Sequence, residues 1–396
     1  MGKSDFLKQT EDDIVIVDSV RTPITRAKKG GLASLREEDL LSIVFKAILD
    51  RTKIDPKLVE DVAVGNVLPP GGGATIARAA LLHAGYPSST ALNTINRQCS
   101  SGLAAVNQIA NEIALGQIDI GIGAGAESMT THYGPGAGPA EVSETVLSNQ
   151  EASDCLIPMG ITSENVAAKY KISRQAQDAF AANSFQKAEQ AQKNGWFKDE
   201  IVPVQVSKES GESTTVAQDD GIRPGVTAES LAKLKPAFSK DGSTHAGNAS
   251  QVSDGAAAVL LMKRKTAKKL GLPIVGKFVT AVSAGVPPNI MGIGPAVAIP
   301  KLLKKVGLDK NDVDFYEINE AFASQVVMSI EAIGLPYEKV NLNGGAIAFG
   351  HPLGATGARQ IATGFAVAKR TKAKLFVTSM CVGSGMGMAS LFVNEA

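Results

Sequence analysis

Cysteine, histidine and aromatic residues are scarce in this chain of 396 residues, with three Cys, four His and only 5% Phe, Trp and Tyr combined. So few thiols make no disulfide framework, which implies a reducing compartment where cysteine serves packing or chemistry. So few imidazoles leave few candidates for histidine chemistry. Charge of one sign is missing too. Forty Lys and Arg face 39 Asp and Glu for a formal net charge of +1, so nucleic acid is not an expected partner. The longest apolar run, at 255–262, is of strand length and falls far short of the roughly 20 residues that cross a bilayer, so no membrane span is expected. The opening MGKSDFLKQTEDD has no apolar run after its basic residue, so no secretory signal is expected. Phe6 occupies the position where a myristoylation motif needs Ser or Thr, and the closing Val393-Asn394-Glu395-Ala396 carries no ER or peroxisomal tripeptide address.

Glycine, by contrast, is abundant at 40 copies, which favours tight turns and close backbone approach. With 44% hydrophobic and 20% charged residues, the chain has the composition of a soluble globular protein of two or three domains. The β-branched run 14–17 predicts a buried strand, and 39–51 a helix with Leu40, Leu41, Ile43, Val44, Ala47 and Ile48 on one face. A strand at 62–64, a Gly-rich loop at 71–73, a helix from Thr75, another after Cys99 and a strand at 118–123 continue the alternation. That order predicts an α/β layered domain with a largely parallel sheet.

The last third repeats this grammar. Val59-Glu-Asp-Val-Ala-Val-Gly-Asn66 resembles Asp312-Val-Asp-Phe-Tyr-Glu-Ile-Asn319, 253 positions later. Gly102 and Gly357, each opening a helix, are 255 apart, and Ile118 set against Ala373 at that offset aligns two strand-like segments. A half of roughly 120 residues therefore occurs twice. Between the copies the pattern changes: Gly134-Pro-Gly-Ala-Gly-Pro139 is loop-like, and helices are expected at 163–170 and 174–194. Thr162 or Ser163 and Ser173 are the expected helix starts, and Ala179, Phe180, Ala182, Phe185, Ala188 and Ala191 the inner face of the second helix. The segment is expected to cover a site built by the two halves.

Two cysteines and one histidine occupy turns suited to chemistry. Cys99, in Asn96-Arg-Gln-Cys-Ser-Ser-Gly102, precedes a helix whose free N–H groups favour a thiolate, although a small buried Cys fits the same turn. His351, in the Gly-rich run 344–357, is the side chain suited to taking a thiol proton. Cys381 follows the apolar strand 375–377 and precedes Val382-Gly-Ser-Gly385, where open α/β sheets place ligand sites. Cys155 lacks such a setting and is expected to be structural, and His83, His132 and His245 lack a setting comparable to that of His351. No pair of ligand types has metal-site spacing, so no metal is expected. The glycine clusters 121–125 and 383–387 lack the spacing and the following helix of a dinucleotide fingerprint, and no Walker-type loop occurs.

Asn96-Arg-Gln-Cys-Ser-Ser-Gly102, Asn319-Glu-Ala-Phe322, Gly350-His-Pro-Leu-Gly354 and Cys381-Val-Gly-Ser-Gly385 resemble, in order and spacing, the active-site motifs of the thiolases. Asp154-Cys-Leu-Ile-Pro-Met-Gly160, Ala246-Gly-Asn-Ala-Ser-Gln-Val-Ser-Asp-Gly255 and Gly285-Val-Pro-Pro-Asn-Ile-Met-Gly292 look most like the peroxisomal 3-ketoacyl-CoA members. The resemblance spans nearly the whole chain. It implies a five-layered α-β-α-β-α core of two duplicated halves with an inserted loop domain: residues 1–128 completed by about 251–272, a loop domain at 129–250 over the CoA site, and a second half at 273–396.

The resemblance also implies cleavage of 3-ketoacyl-CoA by CoA to acetyl-CoA and a shortened acyl-CoA, as in fatty acid β-oxidation. Cys99 is the implied nucleophile and His351 its activator. Cys381 supplies and later removes a proton, Asn319 holds a water beside His351, and the N–H groups of Cys99 and Gly383 form an oxyanion hole. Arg223, Ser230, Ser250, Met159 and Phe322 match positions along the CoA path. CoA enters as a substrate and no cofactor is implied. Pro158, where short-chain relatives carry His, favours longer acyl chains. Lysines at 263–269 and 369–374 are expected to be solvated helix faces. A homo-oligomer in the peroxisome is implied, a dimer favoured over a tetramer, with a cytoplasmic location as the alternative. The rival functions are an acetoacetyl-CoA thiolase that joins two acetyl-CoA and a non-catalytic acyl-CoA carrier; Cys381 argues against a ketoacyl synthase, which uses histidines there.

Overall fold

The computed structural model describes residues 2–134, 137–138, 141–207 and 211–396. Pro135, Gly136 and Pro139 of the expected 134–139 loop lie outside them. The described strands are β1 (Ile14–Arg21), β2 (Thr25–Arg26), β3 (Asp61–Gly65), β4 (Ala91–Ile95), β5 (Ile120–Ser128), β6 (Val204–Ser207), β7 (Ser213–Val216), β8 (Ser253–Lys263), β9 (Gly276–Gly285), β10 (Phe315–Ile318), β11 (Leu375–Val382) and β12 (Met386–Asn394).

The sheet is mixed, not largely parallel as expected, because β1, β8, β9 and β12 run antiparallel to their neighbours, and the pairing contains one pattern twice. β1 pairs antiparallel with β8, β8 antiparallel with β5, β5 parallel with β3 and β3 parallel with β4. In the second copy β9 pairs antiparallel with β12, β12 antiparallel with β11, β11 parallel with β10, and Tyr316 of β10 makes a parallel bridge to Val340. Among the described residues, the two sheets are paired where Val15 and Ile16 of β1 meet Lys277 and Gly276 of β9. The repeat expected at an offset of 253–255 is thus a repeat of topology.

Three apolar clusters set the layers. Helices Glu37–Thr52 and Ala74–His83 lay Leu40, Val44, Ala77 and Leu81 on the outer face of the first sheet, against Ile122 and Leu260. Helices Ser101–Ala114 and Thr356–Thr371 fill the space between the sheets, where Val106, Ile109, Ile361 and Phe365 meet Leu261, Phe376 and Phe392. Helices Gly294–Val306 and Ala323–Ile333 cover the far face of the second sheet. The result is five layers, α-β-α-β-α. Adjacent Leu260 and Leu261 of β8 face different clusters, which explains why the central strands are continuously apolar instead of alternating.

The 121–125 glycine cluster has a packing role. Ile120, Ile122, Ala124 and Ala126 of β5 point to the outer core, and the glycines between them face the middle helices. A Cβ on Gly123 would lie 2.4 Å from Val106 Cα, and one on Gly125 would lie 2.1 Å from Gly354 O. Only a stripe without side chains lets the helix and the Gly354 loop approach so closely. The equivalent Gly102 and Gly357 likewise abut each other's segments. A Cβ on Gly357 would sit 2.2 Å from Leu103 N, and one on Gly102 would sit 2.6 Å from Gly354 O. Gly357→Ala is therefore expected to destabilise the protein by roughly 1–3 kcal/mol through overpacking. An unchanged midpoint in thermal unfolding followed by circular dichroism would show that the contact yields at no cost.

The segment between the copies departs from two expectations. The first of its two expected helices is Met159–Tyr170 with Pro158 as N-cap, so Thr162 and Ser163 lie inside it. Their hydroxyls are engaged there: Thr162 Oγ1 donates to Met159 O at 2.7 Å, and Ser163 Oγ bonds Thr244 and Ser324. Proline, which needs no N–H partner at a helix start, takes the position instead. Ser173 does cap Arg174–Lys193, accepting from Ala176 N at 3.1 Å. In that helix Ala179 is exposed, whereas Gln177, Asp178 and Ser184 are buried. Polar residues face inward because they meet partners: Asp178 bonds buried His245 at 2.7 Å, and Ser184 bonds Glu320 at 2.6 Å. Lys265 and Lys268 pair at the surface with Asp12 and Glu11. No helix among the described residues is long and apolar enough to cross a membrane.

Candidate active site

Cys99 lies in the turn between β4 and helix Ser101–Ala114. Gln98 adopts a left-handed φ of 46°, which costs about 1–2 kcal/mol in a residue with a side chain. Local bonds hold it there. Gln98 N donates to Asn96 Oδ1 at 2.9 Å, Ser101 Oγ donates to Gln98 O at 2.6 Å, and Arg97 reaches Ser283 of β9 at 2.7 Å.

The end of β11 supplies the second thiol. Cys381 is buried and donates to Gln325 Oε1 at 3.2 Å. After Val382 the chain reverses through Ser384 and Gly385, with φ of 60° and 93°, and this turn aims the Gly383 N–H at the Cys99 sulfur. The same loop contacts Cys155, whose thiol points to Ser384 O at 3.7 Å.

His351 is buried in the loop before helix Thr356–Thr371. Its Nδ1 lies 2.6 Å from Thr356 Oγ1, and its Nε2 lies 3.3 Å from Asn319 Nδ2. Thr356 Oγ1 also lies 3.2 Å from Pro352 O, a bond that only the hydroxyl proton can make. Thr356 therefore accepts from His351 Nδ1–H, and Nε2 keeps its lone pair. Asn319 follows β10, adjacent to β11, and its N–H donates to Ser379 O at 2.8 Å. The cysteines, His351 and Asn319 thus come from matching ends of the two halves.

Electrostatics make the resting groups neutral. Burial pushes the Cys99 thiol up to about 11, and the Glu127 carboxylate adds to the rise, against the lowering effect of the Gly383 and Cys99 N–H groups. The helix start was expected to favour a thiolate; desolvation outweighs it. Burial also drives the Cys381 thiol upward, with Cys99 contributing. Burial, then Arg359, hold His351 down to about 3. Cys99 and His351 therefore rest as thiol and imidazole. Thiolate absorbance near 240 nm is expected to be missing at neutral pH and to rise only in alkaline solution. A strong band at neutral pH that disappears in Cys99→Ala would refute a neutral pair.

Of the residues expected along the substrate path, Phe322 and Met159 share an apolar cluster with Cys381, Ala249 and Met291. Ser250 N donates to Ala321 O at 2.9 Å, which places it against the same segment. Arg223 and Ser230 are exposed and tied to the insertion: the Arg223 guanidinium lies 5.8 Å from the Phe185 ring centre, and Ser230 Oγ donates to Thr227 O at 2.7 Å within a helix cap.

Residues 14–265 match the family described as "Thiolase, N-terminal domain", and residues 272–394 match "Thiolase, C-terminal domain". The chain belongs to the thiolase family. It is 56% identical over 398 residues to the "3-ketoacyl-CoA thiolase, peroxisomal" of Yarrowia lipolytica, covering 100% of this chain and 96% of that protein. Among solved structures it resembles the dimeric peroxisomal thiolase of Saccharomyces cerevisiae at 49% identity and a TM-score of 0.93, covering 99% of this chain and 100% of the other. It also resembles the acetyl-CoA acetyltransferase of Syntrophomonas wolfei at 36% identity and a TM-score of 0.89, covering 98% and 100%.

Two groups of this thiolase site escape a motif reading. Thr356 lies inside the His351 loop motif, but only the fold shows its hydroxyl on the imidazole. Gln325 is an ordinary helical glutamine in sequence, and nothing there signals a partner for Cys381.

Proposed function

We propose that the protein is a peroxisomal 3-ketoacyl-CoA thiolase that cleaves 3-ketoacyl-CoA with CoA in fatty acid β-oxidation. The carrying observation is that two thiols meet at the Gly383 turn, with a lone-paired imidazole on the equivalent side of the duplicated fold, in a chain 56% identical throughout to a protein of that name. His351 Nε2 takes the Cys99 proton as the sulfur attacks the 3-keto carbon, and the N–H groups of Cys99 and Gly383 receive the oxyanion. Each such donor contributes about 3–4 kcal/mol at most. The bond between C2 and C3 breaks, its electron pair becomes the acetyl-CoA enolate, and Cys381 gives that carbon its proton. Protonated His351, beside Asn319, stabilises the enolate oxygen. Acetyl-CoA leaves, Cys381 takes the proton of incoming CoA, and the CoA sulfur displaces Cys99, which regains its proton.

CoA is a substrate in this scheme and no cofactor takes part. Residues 129–250 act as the loop domain over the CoA path, with Met159, Phe322 and Ser250 along the pantetheine chain and Arg223 and Ser230 at the nucleotide end. The named relatives support a peroxisomal homodimer. The reverse, four-carbon condensation has no observation in its favour: identity is 36% to the acetyl-CoA acetyltransferase and 49% to the peroxisomal thiolase. Thiolysis rates across acyl chain lengths test the reading. Turnover of long-chain 3-ketoacyl-CoA is expected, and activity confined to acetoacetyl-CoA would overturn it.

A further inference from the structure

We propose that Glu127 is a positioning residue whose carboxylate clasps the loop carrying His351 to the loop bracing Cys99. The inference rests on the thiolase reading of those two residues. Glu127 ends the glycine stripe of β5, is fully buried, and belongs to none of the four motifs. Its two oxygens serve different arms. Oε2 accepts the Gly354 N–H at 2.9 Å, three residues beyond His351 and two before Thr356, which holds the imidazole. Oε1 accepts the Leu68 N–H at 3.0 Å, with Val67 N–H directed at the same carboxyl. Val67 O in turn accepts Asn96 Nδ2 at 3.2 Å, and Asn96 Oδ1 accepts Gln98 N at 2.9 Å. One carboxylate therefore connects the base arm and the nucleophile arm through backbone donors on both sides.

A neutral amide cannot replace it, because glutamine offers one acceptor oxygen and sets its NH2 against the other N–H. Two titratable groups face Glu127: Glu37, the buried first residue of helix Glu37–Thr52, and Cys99. Burial drives the Glu37 carboxyl well above its ordinary range, with the Glu127 charge adding to the rise, and burial brings Glu127 to about 7. Above that pH, Glu127 is ionised and holds both arms. Below it one oxygen becomes a hydroxyl, loses its acceptor role toward one arm, and turnover falls.

The test compares wild type, Glu127→Gln, Asn96→Ala and the double variant on 3-ketoacyl-CoA and CoA. Glu127→Gln is expected to lose about 100-fold in kcat, the scale of a small misplacement, while KM for CoA stays within about threefold, and to lack the acid limb near neutrality. Asn96→Ala, at an exposed position, cuts the nucleophile arm alone and is expected to lower kcat with the same unchanged KM. Little further loss is expected in the double variant, since both changes open one clasp. Alkylation of Cys99 by iodoacetamide reads the nucleophile arm without substrate: Asn96→Ala keeps the Glu127 charge, so its alkylation rate is expected to change through displacement of the thiol alone. Wild-type kcat and an unaltered acid limb in Glu127→Gln overturn the proposal, as do fully multiplicative losses. Should Glu127→Gln fail to fold, unchanged kcat in Asn96→Ala overturns it. Wild-type protein without thiolysis would instead defeat the functional reading, leaving the alkylation comparison to judge the clasp.

Discussion

Cys99→Ala is expected to abolish acyl-enzyme formation: after mixing with 3-ketoacyl-CoA, intact-protein mass spectrometry should show the wild type gaining an acyl group and the variant gaining none. The loss in kcat should reach about 10⁴-fold or more, the scale of removing a nucleophile from a site whose members act together. The apolar cluster of Met159, Phe322 and Ala249 does not include Cys99, so CoA binding should persist within a few fold in calorimetry. The turn at Asn96 and Gln98 is held by bonds from other residues, so the variant should fold. An acylated Cys99→Ala protein, or undiminished thiolysis, would refute the nucleophile assignment.

Cys381→Ser is expected to separate the half-reactions. A serine hydroxyl can still bond Gln325 Oε1, so packing is preserved, but it is a far weaker acid than a thiol. Protonating the enolate and deprotonating incoming CoA should both slow, for a loss of about 10²–10⁴-fold in kcat, the range of general acid–base catalysis. The Cys99 thiol should remain open to iodoacetamide in this variant. Retention of wild-type turnover would assign the proton steps to another group.

Much of the fold was legible because duplication leaves its mark twice. The offset between Asn66 and Asn319 and that between Gly102 and Gly357 point to equivalent strands and helices, and the structure pairs them identically. Cys99, His351 and Cys381 were legible for a related reason, since each occupies a turn where chain direction and glycine spacing expose a side chain. What stayed hidden depends on distant partners. Asp178 and Ser184 lie outside the apolar face that the sequence marks, and are buried because His245 and Glu320 arrive from elsewhere in the chain. Arg21, bonded to Glu200 at 2.8 Å and Asp219 at 2.7 Å, is a fully buried ion group whose members lie about half the chain apart. The rise of the Cys99 thiol was equally invisible. Helix position is local in sequence, but desolvation and the Glu127 charge are properties of the assembled site.

The β1 strand is clamped between β8 and β9, and this arrangement sets a demand on synthesis. Its strand partners begin at Ser253 and Gly276, so both hydrogen-bonding edges of β1 leave the ribosome long before a strand exists to pair with them. At roughly 5–20 residues per second the wait is on the order of tens of seconds. Neither sheet can close in that interval, and the nascent chain presents a bare strand edge, open to pairing with other chains, until the insertion has passed.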